Sequence, residues 1–245
     1  MPEKETPWKV TAERYVGYID IMGFKDMVMR SSHEEVYEMM KKMEKNKKRQ
    51  AETDWLGKGD ESKIKPDLIK TTNYSDSIII YSKDSSYDSL YYFLCVVAGI
   101  TSDLFLEKIP HKGAFAFGTM TLDTDNSIFF GQPLIDAYLL QEELAFYGVV
   151  SHGTADREIE SHDINRLVFL KSYPCPFKSA TTTHLTIYPL YSHPSSSKQK
   201  FEEQLKKKQS NLLESINKLR YRTSGFLRKY IDNTDAYLKF VRTEP

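Results

Sequence analysis

The chain is short of cysteine, of net charge and of long hydrophobic runs. Its 245 residues hold two cysteines. Cys95 lies in an apolar run and Cys175 between two prolines, which excludes a disulfide framework and the spacing of a zinc site. The formal net charge is zero, from 34 basic and 34 acidic residues. That argues against a protein whose main work is coating nucleic acid, because a polyanion calls for a basic excess. The opening residues Met1-Pro2-Glu3-Lys4-Glu5 are polar and do not read as a secretory leader. Every apolar run falls short of what a bilayer requires. The expected setting is therefore cytoplasmic and reducing, with no nucleic-acid and no membrane partner. What the chain does have is apolar and aromatic side chains, 40% and 13%, enough for a substantial core. Its length suits one large domain or one domain with an appendage.

Residues 1–12 read as a loose lead-in. Residues 15–21 read as a short apolar strand with one carboxylate, Asp20, near its end. The chain then turns at Gly23 onto the apolar Phe24. Between His33 and about residue 48 the spacing of Val36, Met39, Met40 and Met43 predicts an amphipathic helix, its methionines packing into a core. A charged connection anchored by Trp55 leads to Pro66. Strands are expected at 67–73 and 77–82, flanking a tight turn at Tyr74-Ser75-Asp76. A long apolar helix, 87–107, ends before Pro110. A strand over 112–122 follows, then a turn at Asp123–Asn126. The segment Ile128–Gly131 leads into a helix over 133–146.

This order, β-α-β-β-α-β with a helix after it, predicts an α+β fold of the ferredoxin-like, split βαβ type. Extra strands are expected at 149–151, 166–170 and 182–188. Ser195-Ser196-Ser197 marks a break before a helical extension over 195–245. There Phe201, Leu205, Leu212, Leu213, Ile216 and Leu219 form one stripe, and a last helix covers about 226–241.

In such a fold the first strand and the central hairpin are neighbours, so Asp20 and Asp76 can face each other. Alone, Asp20 reads as a capping residue before a helix and Asp76 as an ordinary hairpin residue. Together they are two carboxylates a few ångströms apart, which repel unless a divalent cation lies between them. Such a pair usually holds magnesium or manganese with substrate phosphates. His111, His152 and His162 show no ligand spacing.

These residues carry a resemblance. Asp20-Ile21-x-Gly23-Phe24 resembles the first metal motif of class III nucleotide cyclases. Tyr74-Ser75-Asp76-Ser77 stands at the place of their second metal motif, where Gly-Asp is usual. Lys112-Gly113-Ala114 with Gly118 resembles the strand after their long helix. Gly131, followed by Ala137, resembles the start of the last helix of their catalytic core. The likeness runs over residues 13–147 in matching order. The departures are specific. The two purine-reading positions hold Thr72 and Ile128, and the positions of the transition-state Asn and Arg hold Ile135 and Leu139. A kept metal pair without the purine code resembles the pyrimidine cyclases of bacterial Pycsar anti-phage systems, as does the tail Arg228-Lys229-Tyr230-Ile231-x-Asn233-Thr234.

The resemblance implies a cyclase-like catalytic domain over 13–190. It implies conversion of UTP or CTP to the 3′,5′-cyclic monophosphate and pyrophosphate. Two divalent ions, Mn2+ or Mg2+, would be held by Asp20, Asp76 and the Ile21 carbonyl. Backbone N–H groups of Met22, Gly23 and Phe24 would meet the triphosphate. Lys112 is a candidate for neutralising phosphate, with a surface strand lysine as the equal alternative. Lys70 and Thr72 are candidate base readers, and Tyr74 could stack on a base. The family builds its site across a homodimer, and the product would be sensed by a separate effector protein. Two other readings stand beside this one. One is a catalytically silent cyclase-homology module that dimerises and binds a nucleotide. The other is a purine cyclase of unusual code, which Ile128 disfavours.

Overall fold

The apolar run predicted at 15–21 grows into an eleven-residue central strand, β1 (Thr11–Ile21). The structure is a computed structural model, and it describes residues 7–53, 67–162, 170–189 and 210–243, apart from 212, 215, 219, 222 and 223. After β1 come α1 (Phe24–Arg30), α2 (His33–Glu52), β2 (Ile69–Tyr74), β3 (Ser77–Ser82) and α3 (Tyr87–Leu106). Then follow β4 (His111–Asp123), β5 (Ile128–Gly131), α4 (Gln132–Glu143), β6 (Gly148–Ser151) and α5 (Gly153–Ser161). The remaining elements are β7 (Leu170–Pro176), β8 (Thr181–Ile187) and a C-terminal helix, α6 (Phe226–Thr243).

One sheet of eight strands runs in the order β2-β3-β1-β4-β6-β8-β7, with β5 pairing the far end of β4. The first four of these strands form the predicted ferredoxin-like arrangement. β1 is flanked by antiparallel β3 and β4, while β4 and β6 are parallel.

Alternation along β1 decides which side chains meet which layer. Tyr15, Ile19 and Ile21 enter a core with Ile80, Phe93, Phe115 and Val149. That core is centred on α3, most of whose residues are buried. Contrary to the expectation that every apolar run is too short for a bilayer, α3 is long and apolar enough to cross one by length and composition, because its polar residues are few and small; most of it is buried inside the fold. Each fully buried Leu or Phe on it contributes about 1.5–3 kcal/mol from burial. α2 packs outside α3 and delivers Met43 to this core, with Met39 and Met40 partly buried against it. Its start is fixed by a reciprocal capping box between Ser32 and Glu35.

The other residues of β1 face the opposite layer. Val16 packs with Tyr81, Met120 and Leu134 under α4. Further along the sheet, Ala114, Val150, Tyr173 and Cys175 pack with Tyr230, Ile231 and Tyr237 of α6.

Several expectations shift. The helix predicted to reach residue 146 ends at Glu143. Leu144 bridges to Phe177, and the Ala145 N–H donates to the Pro176 carbonyl at 2.9 Å, which draws this stretch into the sheet. The strand predicted at 166–170 begins at Leu170 and continues to Pro176. Residues 163–169 lie outside those described. β7 tolerates Pro174 and Pro176 because it is the sheet edge. α5 was not expected; it buries only Ala155 and Ile159, too short a stripe to read from periodicity. Trp55, the serine break at 195–197, and Phe201, Leu205, Leu212 and Leu219 lie outside the described residues. Ile216 is buried in the α6 core, with Leu213 packed against it.

Candidate active site

The site begins with strand register. Asp20 lies opposite Ser77 on β3 and opposite Lys112 on β4. Ser77 lies opposite Tyr74 on β2, and Lys112 opposite Gly148 on β6. Directly opposed residues share a face, so Tyr74, Ser77, Asp20 and Lys112 form one cross-strand row. Thr72, Ile79, Tyr18 and Ala114 form the adjoining row on that face. Tyr74 and Thr72 are exposed, Asp20 is partly buried and Lys112 is almost fully buried.

The tight turn predicted at Tyr74-Ser75-Asp76 forms as expected. Ser75 takes the left-handed conformation (φ 55), and Asp76 follows it at the tip. The Ile21 N–H donates to the Asp76 carbonyl at 3.0 Å, which ties the end of β1 to the hairpin. Asp20 and Asp76 therefore converge. Burial is the main force pushing the Asp20 carboxyl up, to about 6; the Asp76 charge adds to it, Lys112 opposes it and Glu142 adds a little more. A carboxylate in this state gains from a cation close by.

Gly23 is the N-cap of α1 and sits in the left-handed region (φ 78), with open space where a Cβ would project. The glycine is required for the backbone turn and not for room. The Met22 N–H donates to the Pro110 carbonyl at 2.8 Å, so it is engaged within the fold. Phe24 starts α1 and packs against the main core.

Lys112 is 4% exposed, not a surface lysine. Its Nζ donates to the Glu142 carbonyl at 3.1 Å and lies 3.7 Å from Glu142 Oε1. Burial is the main cause lowering its pKa, Lys178 pushes it further down, and Glu142 and Asp20 oppose the shift. Glu142 and Lys178, the groups that act on Lys112, were missed by sequence reading. They come from the last turn of α4 and from the β7–β8 turn, and no local motif marks either.

Tyr18 donates to or accepts from Ser77 Oγ at 2.5 Å, and its ring meets Tyr138 of α4 edge-on. Lys70 is drawn away from the row: its Nζ sits 4.4 Å over the Trp8 ring. Ile135, Tyr138 and Leu139 form an exposed stripe on α4, and Ile128 and Phe130 of β5 are exposed as well.

Asp20, Asp76 and the Ile21 carbonyl can offer oxygen ligands to a hard divalent cation. Among the described residues no cluster of three or more His, Cys, Asp or Glu is placed to hold a metal ion. The protein thus supplies two carboxylates, and further ligands would have to come from a bound substrate or water. That donor set fits magnesium or manganese with phosphate oxygens and does not fit zinc.

No family model matches the chain, and no curated protein matches it. Among solved structures, it is similar to the catalytic core of a rhodopsin-guanylyl cyclase with converted specificity in complex with ATPalphaS. The identity is 10% and the TM-score 0.49, over 73% of this chain and 98% of that one.

Proposed function

We propose that the protein is a nucleotide cyclase that converts a pyrimidine ribonucleoside triphosphate, UTP or CTP, to its 3′,5′-cyclic monophosphate and pyrophosphate. The observation that carries this reading is the convergence of Asp20 and Asp76 at the end of one sheet row, with Lys112 acting on Asp20 and Lys178 acting on Lys112 in turn. Two carboxylates with a buried lysine opposite one of them suit a polyphosphate delivered with divalent metal. The absence of purine-reading side chains at Thr72 and Ile128 supports a pyrimidine.

The ribose 3′-oxygen bonds to the α-phosphorus, the bond from that phosphorus to the bridging oxygen breaks, and pyrophosphate leaves. The hydroxyl proton passes to solvent. Bound Mn2+ or Mg2+ would lower the pKa of the attacking hydroxyl and neutralise the leaving phosphates. Asp20 and Asp76, with the Ile21 carbonyl, would hold that charge in place. Lys112, with Lys178 near it, would supply fixed positive charge to the phosphates, standing in for the arginine that Ile135 and Leu139 do not provide. Gly23 and Phe24 open α1 toward the triphosphate. The exposure of Thr72 and Tyr74 on the same face supports a role for them at the base.

The exposed stripe of Ile135, Tyr138 and Leu139 supports a homodimer with shared active sites. The protein would act in the cytoplasm, in antiviral defence, its product read by a separate effector. A second reading, a silent dimerising nucleotide-binding module, is favoured by the aliphatic character of Ile135 and Leu139.

Incubation with each of the four ribonucleoside triphosphates and Mn2+ tests the proposal. A cyclic pyrimidine product is expected. No product from any triphosphate leaves only the silent module. Product that persists in Asp76→Ala sinks the metal assignment. Specific activity independent of concentration down to high dilution counts against the shared site.

A further inference from the structure

On the sheet face opposite the Asp20 row lies a cavity of about 270 Å3. It opens between α1, α2 and the C-terminal end of α3. Its apolar wall includes Met27, Met43, Ile78, Ile100, Leu104 and Pro110. Thioethers adapt to irregular aliphatic shapes, and at interior packing density the space holds about 200 Å3 of molecule.

The rim is charged, with three lysines and two acids among the lining residues. Most of these charges are already matched. Lys42 bonds Glu107. Lys47 bonds Glu44 at 2.6 Å and Asn73 at 2.8 Å. Asp103 accepts from Arg49 at 2.8 Å and from Gln50 at 2.7 Å. Lys108 is exposed, in the left-handed conformation (φ 60), and has no ion pair among the described residues. The chamber is apolar, and Lys108 is the lining cation without an ion pair among the described residues; Glu214, on which its charge acts, is already paired with Lys218.

We propose that this cavity binds a medium-chain aliphatic carboxylate, its chain among the methionines and its head group at Lys108. The walls connect to the front of the sheet. Met27 belongs to α1, which Gly23 caps. The Pro110 carbonyl accepts the Met22 N–H, and Ile78 lies two residues past Asp76, whose carbonyl accepts the Ile21 N–H. α1 buries none of its own residues, so a filled cavity steadies it and the turn before it. This effect on the turn rests on the cyclase reading above; the binding itself does not.

Decanoate is the probe, titrated below its micellar concentration into the full chain. Saturable one-to-one binding is expected by calorimetry. In methyl NMR, shifts are expected at Met27, Met39 and Met43 and none at Met120, which is buried under α4. Met39→Trp, from a partly exposed position on the lining, is expected to weaken binding at least about tenfold with the melting temperature kept. Lys108→Glu is expected to weaken decanoate about tenfold while leaving 1-decanol unchanged. Absence of saturable binding, or shifts at Met120 in place of the lining methionines, overturns the proposal. So does binding that survives Met39→Trp in a folded protein, or decanol binding as tightly as decanoate. Decanoate binding without any cyclic product would leave this site standing and sink the cyclase reading alone.

Discussion

The backbone N–H of Ile21 donates to the carbonyl of Asp76 at 3.0 Å. This bond continues the β1–β3 ladder one residue beyond the Asp20–Ser77 pair and brings two acidic residues, 56 positions apart in sequence, to one place. The electrostatic conflict at the site follows from it.

Asp20 is the first test. Its folded pKa, about 6, is raised from 3.8. The folded state thus holds the proton more tightly than the unfolded state, and stability falls as pH rises from about 4 to 6. Asp20→Asn is expected to stabilise the protein by about 1–3 kcal/mol above pH 6 and to change nothing below pH 4. Urea midpoints at pH 4 and pH 7 measure this. Mn2+ should raise the melting temperature of the wild type and not that of Asp20→Asn.

His111 acts in the opposite direction over a similar range. Burial depresses it to about 4, with a small opposing effect from the Ile109 carbonyl 2.9 Å from Nδ1. Its Nε2 is buried without a partner. The unfolded chain binds the proton more tightly, so this contribution is lost as pH falls from about 6.5 toward 4. His111→Gln is expected to remove up to about 3 kcal/mol of acid sensitivity, read as a flatter stability profile between pH 7 and 4.

Gly113 keeps β4 close to β1. A Cβ there would stand 2.7 Å from the Tyr18 carbonyl oxygen, a backbone atom that cannot step aside. Gly113→Ala is expected to cost more than about 2 kcal/mol, seen as a lowered melting temperature. Because the clash lies one residue from Lys112, the β4 partner of Asp20, metal-induced stabilisation should fall with it.

Lys112→Met tests whether the buried lysine serves a ligand. The aliphatic stem is kept while the bond to Glu142 is lost. Stability should change by less than about 1 kcal/mol, whereas triphosphate affinity should fall at least about tenfold. Unchanged affinity by calorimetry would make Lys112 a structural residue only.

Leu139→Asp places a charge on the exposed α4 stripe. Sedimentation is expected to show a dimer for the wild type and a monomer for the variant, with little change in melting temperature, because Leu139 is 56% exposed. A wild-type monomer at tens of micromolar would refute the dimer.

Local chemistry was legible wherever a residue's neighbours in sequence are its neighbours in space. The short apolar run marks β1, the three- and four-residue methionine spacing marks α2, and Ser75-Asp76 marks the hairpin. The split βαβ order follows from those elements. Helix α4 was read too long because Leu144–Phe146 look helical by composition and are claimed by a bridge to Phe177. Met22, Gly23 and Phe24 could be placed at a turn, but that the Met22 N–H is engaged by Pro110 was not visible.

What the amino-acid order determined by itself is most of the elements, α5 excepted, together with the acidic residues at the end of β1 and in the hairpin, since propensity and periodicity act over a few residues. Only the tertiary structure decided that Lys112 is buried against Glu142, that Lys178 lies close to it, and that Asp20 and Asp76 meet. Burial and Coulomb interaction depend on distance in space, and strand register sets that distance between residues far apart in the chain.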